Sequence, residues 1–259
     1  MVIFQEKIIS NSQRKEAFVS AKATVNHMDC FDRDYFIDML RRELPVSVTD
    51  RQAGLFFKYY CELIRVNRYM NLTAITEPKE VIRKHFCDSL LPLSLPYLKE
   101  GARCVDVGSG AGFPGLPLAI MRPDLDMTLM DSLGKRVDFL TETCEQLSMD
   151  RCRAVKIRAE EATETREAFD IAFSRGVARL SVLAEYCLPL VREGGVMIAL
   201  KSLSAELEIE EAQNAMGILG GKLVEVFGTP ERNAVVIEKI SQTPSKYPRR
   251  AGIPEKRPL

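Results

Sequence analysis

The chain is poor in the residues that build metal centres. It has two histidines, His27 and His85, and seven cysteines that stand singly at 30, 61, 87, 104, 144, 152 and 187, with no C-x-x-C pair. Tetrahedral zinc needs clustered thiolates or imidazoles, so no metal site is expected. Scattered, unpaired cysteines read instead as reduced, mostly core thiols of a cytoplasmic protein. An excess of charge is missing too, with 36 basic against 36 acidic side chains. A protein steered as a whole to nucleic acid carries more basic charge, although balance leaves room for a local basic patch. No stretch is apolar for the length of a membrane span, and the opening MVIFQEKIIS is interrupted by Glu6 and Lys7, unlike a signal peptide. No membrane partner is expected. Internal repeats are absent. No nucleophile motif accompanies His85 and Asp88, so a hydrolase triad has no support and His85 reads as a packed or capping histidine.

What is present is 259 residues, 46% of them hydrophobic, enough for one sizeable α/β unit and a smaller appendage. Residues 1–29 are polar and weakly patterned, and read as a poorly ordered leader, with Met28 as a possible alternative start. Residues 30–98 read as an N-terminal helical cap. Residues 31–44 have a helical apolar pattern, and Thr49-Asp50-Arg51-Gln52 has the form of a capping box. After it, Leu55, Tyr59 and Leu63 with Phe56, Tyr60 and Ile64 make a broad apolar stripe. A third helix is expected from Pro78 through His85 to about Leu95. Residues 99–240 alternate short apolar strands, at 103–107, 127–131, 153–157, 169–173, 196–200, 222–227 and 234–240, with helices, the clearest at 134–148. Such alternation predicts a doubly wound, mostly parallel sheet of the α/β class. The short connection near 228–233 predicts an antiparallel hairpin at its edge. Residues 241–259 hold four prolines and a basic excess, and are expected as an extended surface tail without helix.

The chemistry-bearing string is DVGSGAGFPG at 106–115, directly after the first strand and opening a helix, where open α/β sheets bind ligands. A dinucleotide fingerprint needs glycine at the first, third and sixth places. Counting from Gly108, Gly110 fits but Phe113 occupies the sixth. Gly108, Gly110 and Gly112, spaced by twos, fit better a turn packed on S-adenosylmethionine, with a purely structural tight turn as the alternative. Asp131 ends the second strand, where an acid can accept hydrogen bonds from both ribose hydroxyls or simply cap the next helix. Ala159 and Glu160 follow the third strand and are placed to pass the adenine, or to start a helix. Arg175 follows the fourth strand, where the reacting atom of a substrate meets the methyl group. It is the candidate catalytic residue, able to stack on a base or pair with a carboxylate, with a structural arginine as the rival. Lys201 ends the fifth strand, pointing into the crevice or merely terminating the strand.

These residues sit in longer strings: NLTAI at 71–75, KHFCDSL at 84–90, DVGSGAGFPGLPLAI at 106–120, DSLGKRVDFL at 131–140, RAEE at 158–161, SRGVARL at 174–180 and KYPRRAGIPEKRPL at 246–259. Together they resemble the ribosomal RNA small-subunit methyltransferase G family, also called glucose-inhibited division protein B, over about residues 35–259. The resemblance implies a class I methyltransferase that methylates N7 of a guanine in 16S ribosomal RNA, with cofactor contacts at Gly108, Phe113, Ala159, Glu160 and Arg175. Asp131 joins them from the ribose argument. The chain departs from the family pattern at Gly176, where alanine is usual, at Ser202, where glycine or alanine is usual, and before the NLT string, where a tryptophan is common and this chain has none. Guanine N7 has a lone pair and no proton, so transfer needs no general base, only positioning. RNA must present the guanine unstacked. Lys135, Arg136, Arg179, Lys201, Arg249 and Arg250, with Arg175, are the candidates to hold its phosphates. The partner implied is 16S rRNA or the 30S subunit, met by a monomer in the cytoplasm. A protein or small-molecule methyltransferase and a non-catalytic RNA-binding adapter remain alternatives. An oxidoreductase is disfavoured by Phe113.

Overall fold

A seven-stranded sheet in the order β3-β2-β1-β4-β5-β7-β6 organises the chain. The computed structural model describes residues 31–44, 46–202, 205–229 and 232–259. The expected leader, with Met28 and Cys30, lies outside the described residues. The strands are β1 Arg103–Val107, β2 Asp126–Asp131, β3 Cys152–Lys156, β4 Phe169–Arg175, β5 Val191–Lys201, β6 Gly221–Thr229 and β7 Arg232–Lys239. All pairs from β3 to β5 are parallel, and β7 runs antiparallel to both β5 and β6. The strand that reverses is therefore β7, one place in from the edge. The hairpin expected near 228–233 is the one that carries it.

Alternation along the strands sorts side chains onto two faces. Cys104, Ile171, Phe173, Val196 and Ile198 join one apolar cluster, while Val105, Ala172, Met197 and Ala199 join the other. The second face is covered by α6, Leu180–Cys187, and α7, Ala205–Leu219. The first is covered by α4, Gly115–Met121, α5, Gly134–Gln146, and the whole helical cap, whose Phe36, Phe56, Leu63 and Phe86 belong to the same cluster as the sheet. Cap and sheet thus share one core. Among the described cysteines only Cys61 is exposed.

The cap is built as its sequence suggests, with one exception. Helix α1, Arg33–Glu43, is capped by the Asp32 carboxylate, which accepts from the Tyr35 amide at 2.9 Å. Helix α2, Asp50–Met70, begins with the Thr49–Gln52 capping box and ends at Asn71 in a left-handed conformation, φ 52°. The third helix, α3, opens at Pro78–Val81 but widens into a π-helical stretch at Ile82–Cys87, returns to α at Asp88–Leu90 and tightens into a 3-10 turn at Leu91–Ser94. The widened stretch re-aims His85, and such insertions gather at functional sites.

The tail differs from its expectation. A short helix, α8, forms at Ile253–Lys256, because Pro254 sits in its first turn, where no amide donor is needed. The segment is also docked. Arg166 donates to the carbonyls of Thr243, Pro244 and Tyr247. Arg249 closes on the Glu185 carboxylate through its backbone amide at 2.7 Å, its Nε at 2.8 Å and its Nη2 at 2.5 Å. Glu185 is fully buried. Removing its partner strands a charge away from water, so Arg249→Ala should lower the unfolding free energy by about 3 kcal/mol. Urea denaturation reads this directly, and a loss below about 0.5 kcal/mol would mean the tail contributes no such clamp.

Candidate functional site

The glycine turn lies over the carboxyl ends of β1 and β2. The amides of Gly108 and Ser109 donate to the Met130 carbonyl at 2.8 and 3.0 Å. Gly110, at φ 58°, turns its amide onto Asp131 Oδ2 at 3.0 Å. The other Asp131 oxygen accepts from the Leu133 amide at 2.9 Å. At Gly108, φ 74°, a Cβ would be strained and would lie 2.5 Å from Val177 Cγ2, so a side chain there would have to displace that of Val177 in the loop after β4. Beneath the turn, burial pushes the Asp106 carboxyl up to about 7. Its Oδ2 accepts from the Gly115 amide at 2.9 Å and its Oδ1 has no partner among the described residues.

In front of the turn is a cavity of about 380 Å³, within the size range of small-molecule sites. One side is Gly108, Gly110, Asp131, Ala159 and Glu160, with Val107, Met130 and Ile157 as apolar lining. The other side is Phe113, Arg175, Thr73 and His85. Arg175 Nη2 reaches His85 Nδ1 at 2.9 Å, and Nη1 donates to the carbonyls of Lys84 and His85 at 3.2 and 3.3 Å and to Ser89 Oγ at 3.3 Å. The guanidinium lies 4.8 Å from the Phe113 ring centroid, and the His85 ring stacks on Phe113 at 4.5 Å. Desolvation lowers Arg175 to about 10, which leaves it a cation at neutral pH. Burial and the Arg175 charge lower His85 to about 4, which leaves it neutral.

The structure gathers all six residues expected to meet a cofactor (Gly108, Phe113, Asp131, Ala159, Glu160 and Arg175) around this one cavity. The expected RNA contacts divide. Arg136 lines the cavity, and Lys135, Arg179 and Arg250 are exposed. Lys201 is buried, its ammonium 2.6 Å from both the Ala178 carbonyl and Glu208, and Arg249 is committed to Glu185. Neither is free to meet a phosphate: Lys201 is itself buried against its partner and Arg249 neutralises a buried acid, whereas the contacts of Arg136 with Asp131, at 3.5 Å, and of Arg179 with Glu211, at the surface, are long or solvent-exposed. His85 is also corrected. It is packed, as expected, but it forms a wall of the site, which the π-helical register makes possible. Sequence reasoning missed Thr73, Arg158 and Val177, and the cavity positions Tyr186 and Glu255, where the Tyr186 hydroxyl reaches Glu255 at 3.3 Å. Four of these lie in the strings NLTAI, RAEE, SRGVARL and KYPRRAGIPEKRPL, which were visible signals without a geometry to use them. Among the described residues no cluster of three or more metal-ligating side chains occurs, and no helix is long and apolar enough to cross a membrane.

A parallel sheet ordered 3-2-1-4-5 and finished by a reversed β7 beside β6, with a glycine turn after β1 and an acid ending β2, defines a class I S-adenosylmethionine-dependent methyltransferase fold. The family model for GidB, rRNA small subunit methyltransferase G, matches residues 52–235. Curated relatives with the name Ribosomal RNA small subunit methyltransferase G are 46% identical in Desulforamulus reducens, over 84% of this chain and 95% of that protein, and 47% identical in Lactobacillus delbrueckii subsp. bulgaricus, over 80% and 92%. A third, from Lactobacillus acidophilus, is 45% identical over 87% of this chain and 98% of that protein. The chain belongs to the rRNA small subunit methyltransferase G family.

Neutral His85 has a consequence for stability. An unfolded histidine titrates near 6.5 and this one near 4 when folded. The folded state binds fewer protons between these values, so stability is full above about pH 6.5 and falls as the pH drops through 4. At pH 5 the loss from this group is about 2 kcal/mol. His85→Asn, which keeps an acceptor for Arg175, should reduce the acid-induced loss between pH 8 and pH 5 by about that amount in urea denaturation. The raised Asp106 acts in the opposite sense in both proteins and cancels. Equal pH dependence in the two would show that His85 is protonated without cost.

Proposed function

We propose that the chain transfers the methyl group of S-adenosylmethionine to N7 of a guanine in 16S ribosomal RNA of the small ribosomal subunit, without a metal, as a monomer in the cytoplasm. The observation that carries this reading is the meeting, at one cavity, of the Asp131-bound glycine turn with the Phe113–His85–Arg175 wall. The relatives' names direct it to ribosomal RNA.

The residues fit the methyl donor. Asp131 Oδ1 receives one backbone amide and keeps a lone pair, Oδ2 receives the Gly110 amide and a long contact of 3.5 Å from Arg136 that a closer donor can replace, and a ribose diol offers two donors. Val107, Met130 and Ile157 provide an apolar slot for a purine. Glu160 takes the Gly252 amide on Oε1 at 3.1 Å, and Oε2 remains for an amino group. When bound, S-adenosylmethionine supplies an electrophilic methyl group on sulfur. Guanine N7 presents a lone pair without a proton, so no side chain has to remove one. The contribution of the site is orientation: reacting atoms held about 3–3.5 Å apart and in line are worth about 7–11 kcal/mol in favourable cases. Phe113, pinned by His85 and Arg175, provides a rigid face for this. The guanine gains positive charge on methylation. Arg175, whose charge is spread over the Lys84 and His85 carbonyls, is softened as a repelling neighbour. Lys135, Arg136, Arg179 and Arg250 hold RNA phosphates around the opening.

Incubation with methyl-labelled S-adenosylmethionine and 30S subunits, naked 16S RNA, or free metabolites tests the reading. Label should enter small-subunit RNA and map to an N7-methylguanine. Asp131→Ala should weaken S-adenosylhomocysteine binding by about tenfold to a hundredfold in calorimetry, through the lost charge-assisted hydrogen bonds. Label appearing only in protein or metabolite would sink the RNA assignment.

A further inference from the structure

Thr73 is held more firmly than a loop residue needs to be. Asn67 grips its backbone from both sides, donating from Nδ2 to the Thr73 carbonyl at 2.9 Å and accepting the Thr73 amide on Oδ1 at 2.8 Å. The hydroxyl is fixed as well, and a proton count gives its direction. Arg175 can only donate, so His85 Nδ1, 2.9 Å from it, must be the accepting nitrogen. Neutral imidazole then carries its proton on Nε2, which lies 2.7 Å from Thr73 Oγ1 and donates to it. The Ile75 amide donates to the same oxygen at 3.0 Å. Both lone pairs of the hydroxyl are filled. Among the described residues its own proton has no acceptor, and Thr73 lines the cavity with His85 and Arg175.

We propose that the Thr73 hydroxyl is a one-way hydrogen-bond donor that reads O6 of the target base and so selects guanine over adenine. This rests on the reading of the cavity as a guanine-N7 methylation site. On that edge of guanine, N7 and O6 are neighbouring acceptors, whereas adenine offers N7 beside an amino donor. A free hydroxyl could reverse and accept from the amino group. This one cannot, because turning it round would break the bonds from His85 and Ile75. Adenine in register therefore meets proton against proton. The bond also has a kinetic signature. Methylation makes the ring cationic and O6 a poorer acceptor, so the contact is stronger before transfer than during it. It contributes to binding and register, and shows in KM more than in kcat.

The test uses the full chain and 30S subunits reconstituted with 16S RNA carrying either guanine or 2-aminopurine at the modified position. 2-Aminopurine keeps N7 and lacks O6. On guanine, Thr73→Val should lose roughly tenfold in kcat/KM, mostly as raised KM, and Thr73→Ser, which keeps the hydroxyl, should recover most of that loss. On 2-aminopurine the wild type should already show the penalty and Thr73→Val should add nothing. S-adenosylhomocysteine affinity should be the same in all three proteins. An equal loss from Thr73→Val on both bases, or a loss of S-adenosylhomocysteine affinity, overturns the inference. The wild-type comparison of the two bases stands without any variant, and the absence of a penalty there overturns it too. If the wild type places no methyl group on N7 of a small-subunit guanine, the underlying reading fails, and this inference with it.

Discussion

The guanidinium of Arg175 is the tie on which the site depends. It stands at the end of a buried parallel strand and reaches into a helix from a different part of the chain, where two carbonyls, a hydroxyl and an imidazole nitrogen receive it. An arginine so desolvated is costly unless its donors are matched. The π-helical stretch of α3 supplies the match, because its register turns the Lys84 and His85 carbonyls and the His85 ring toward the same point. The same contact fixes the histidine's tautomer, and through it the hydroxyl of Thr73. One cation thus sets the proton positions along a whole wall of the cavity.

A second constraint comes from the sheet. Strands β1, β2 and β4 end side by side, so the loops that follow them converge. The glycine turn lies against the β4 loop with Gly108 in a left-handed conformation and no Cβ to push against the Val177 side chain. Asp131 then serves twice, receiving the turn's amide and facing the cavity. Structural and cavity-facing positions, alternatives when residues are considered singly, coincide here.

Much of this was legible in the amino-acid sequence. Short apolar strands, the Thr49 capping box and the glycine turn are written in local chemistry, and the strands appear within about two residues of their expected bounds, except β5, which starts five residues earlier. Residues at strand ends, such as Asp131, Glu160 and Arg175, were legible because the fold dictates where such ends point. The rest depends on contacts between distant segments. Nothing in IRKHFC announces a π turn, so His85 read as a packing residue. Lys201 and Arg249 read as free cations, because their partners, Glu208 and Glu185, become neighbours only after the chain has folded back. The tail's prolines argued against helix in general, yet one of them occupies the single turn of a helix that tolerates it.

The shared core of cap and sheet has a consequence for how the molecule opens. The cavity takes its walls from segments as distant as Thr73 and Glu255. Local fraying of an element that lines it already spoils it, and full occupation requires these lining segments to be closed together. A small molecule held there therefore stabilises the native state as a whole by mass action. Its protection against amide hydrogen exchange would spread through β1, β4 and the cap helices together, rather than stay with the residues it touches.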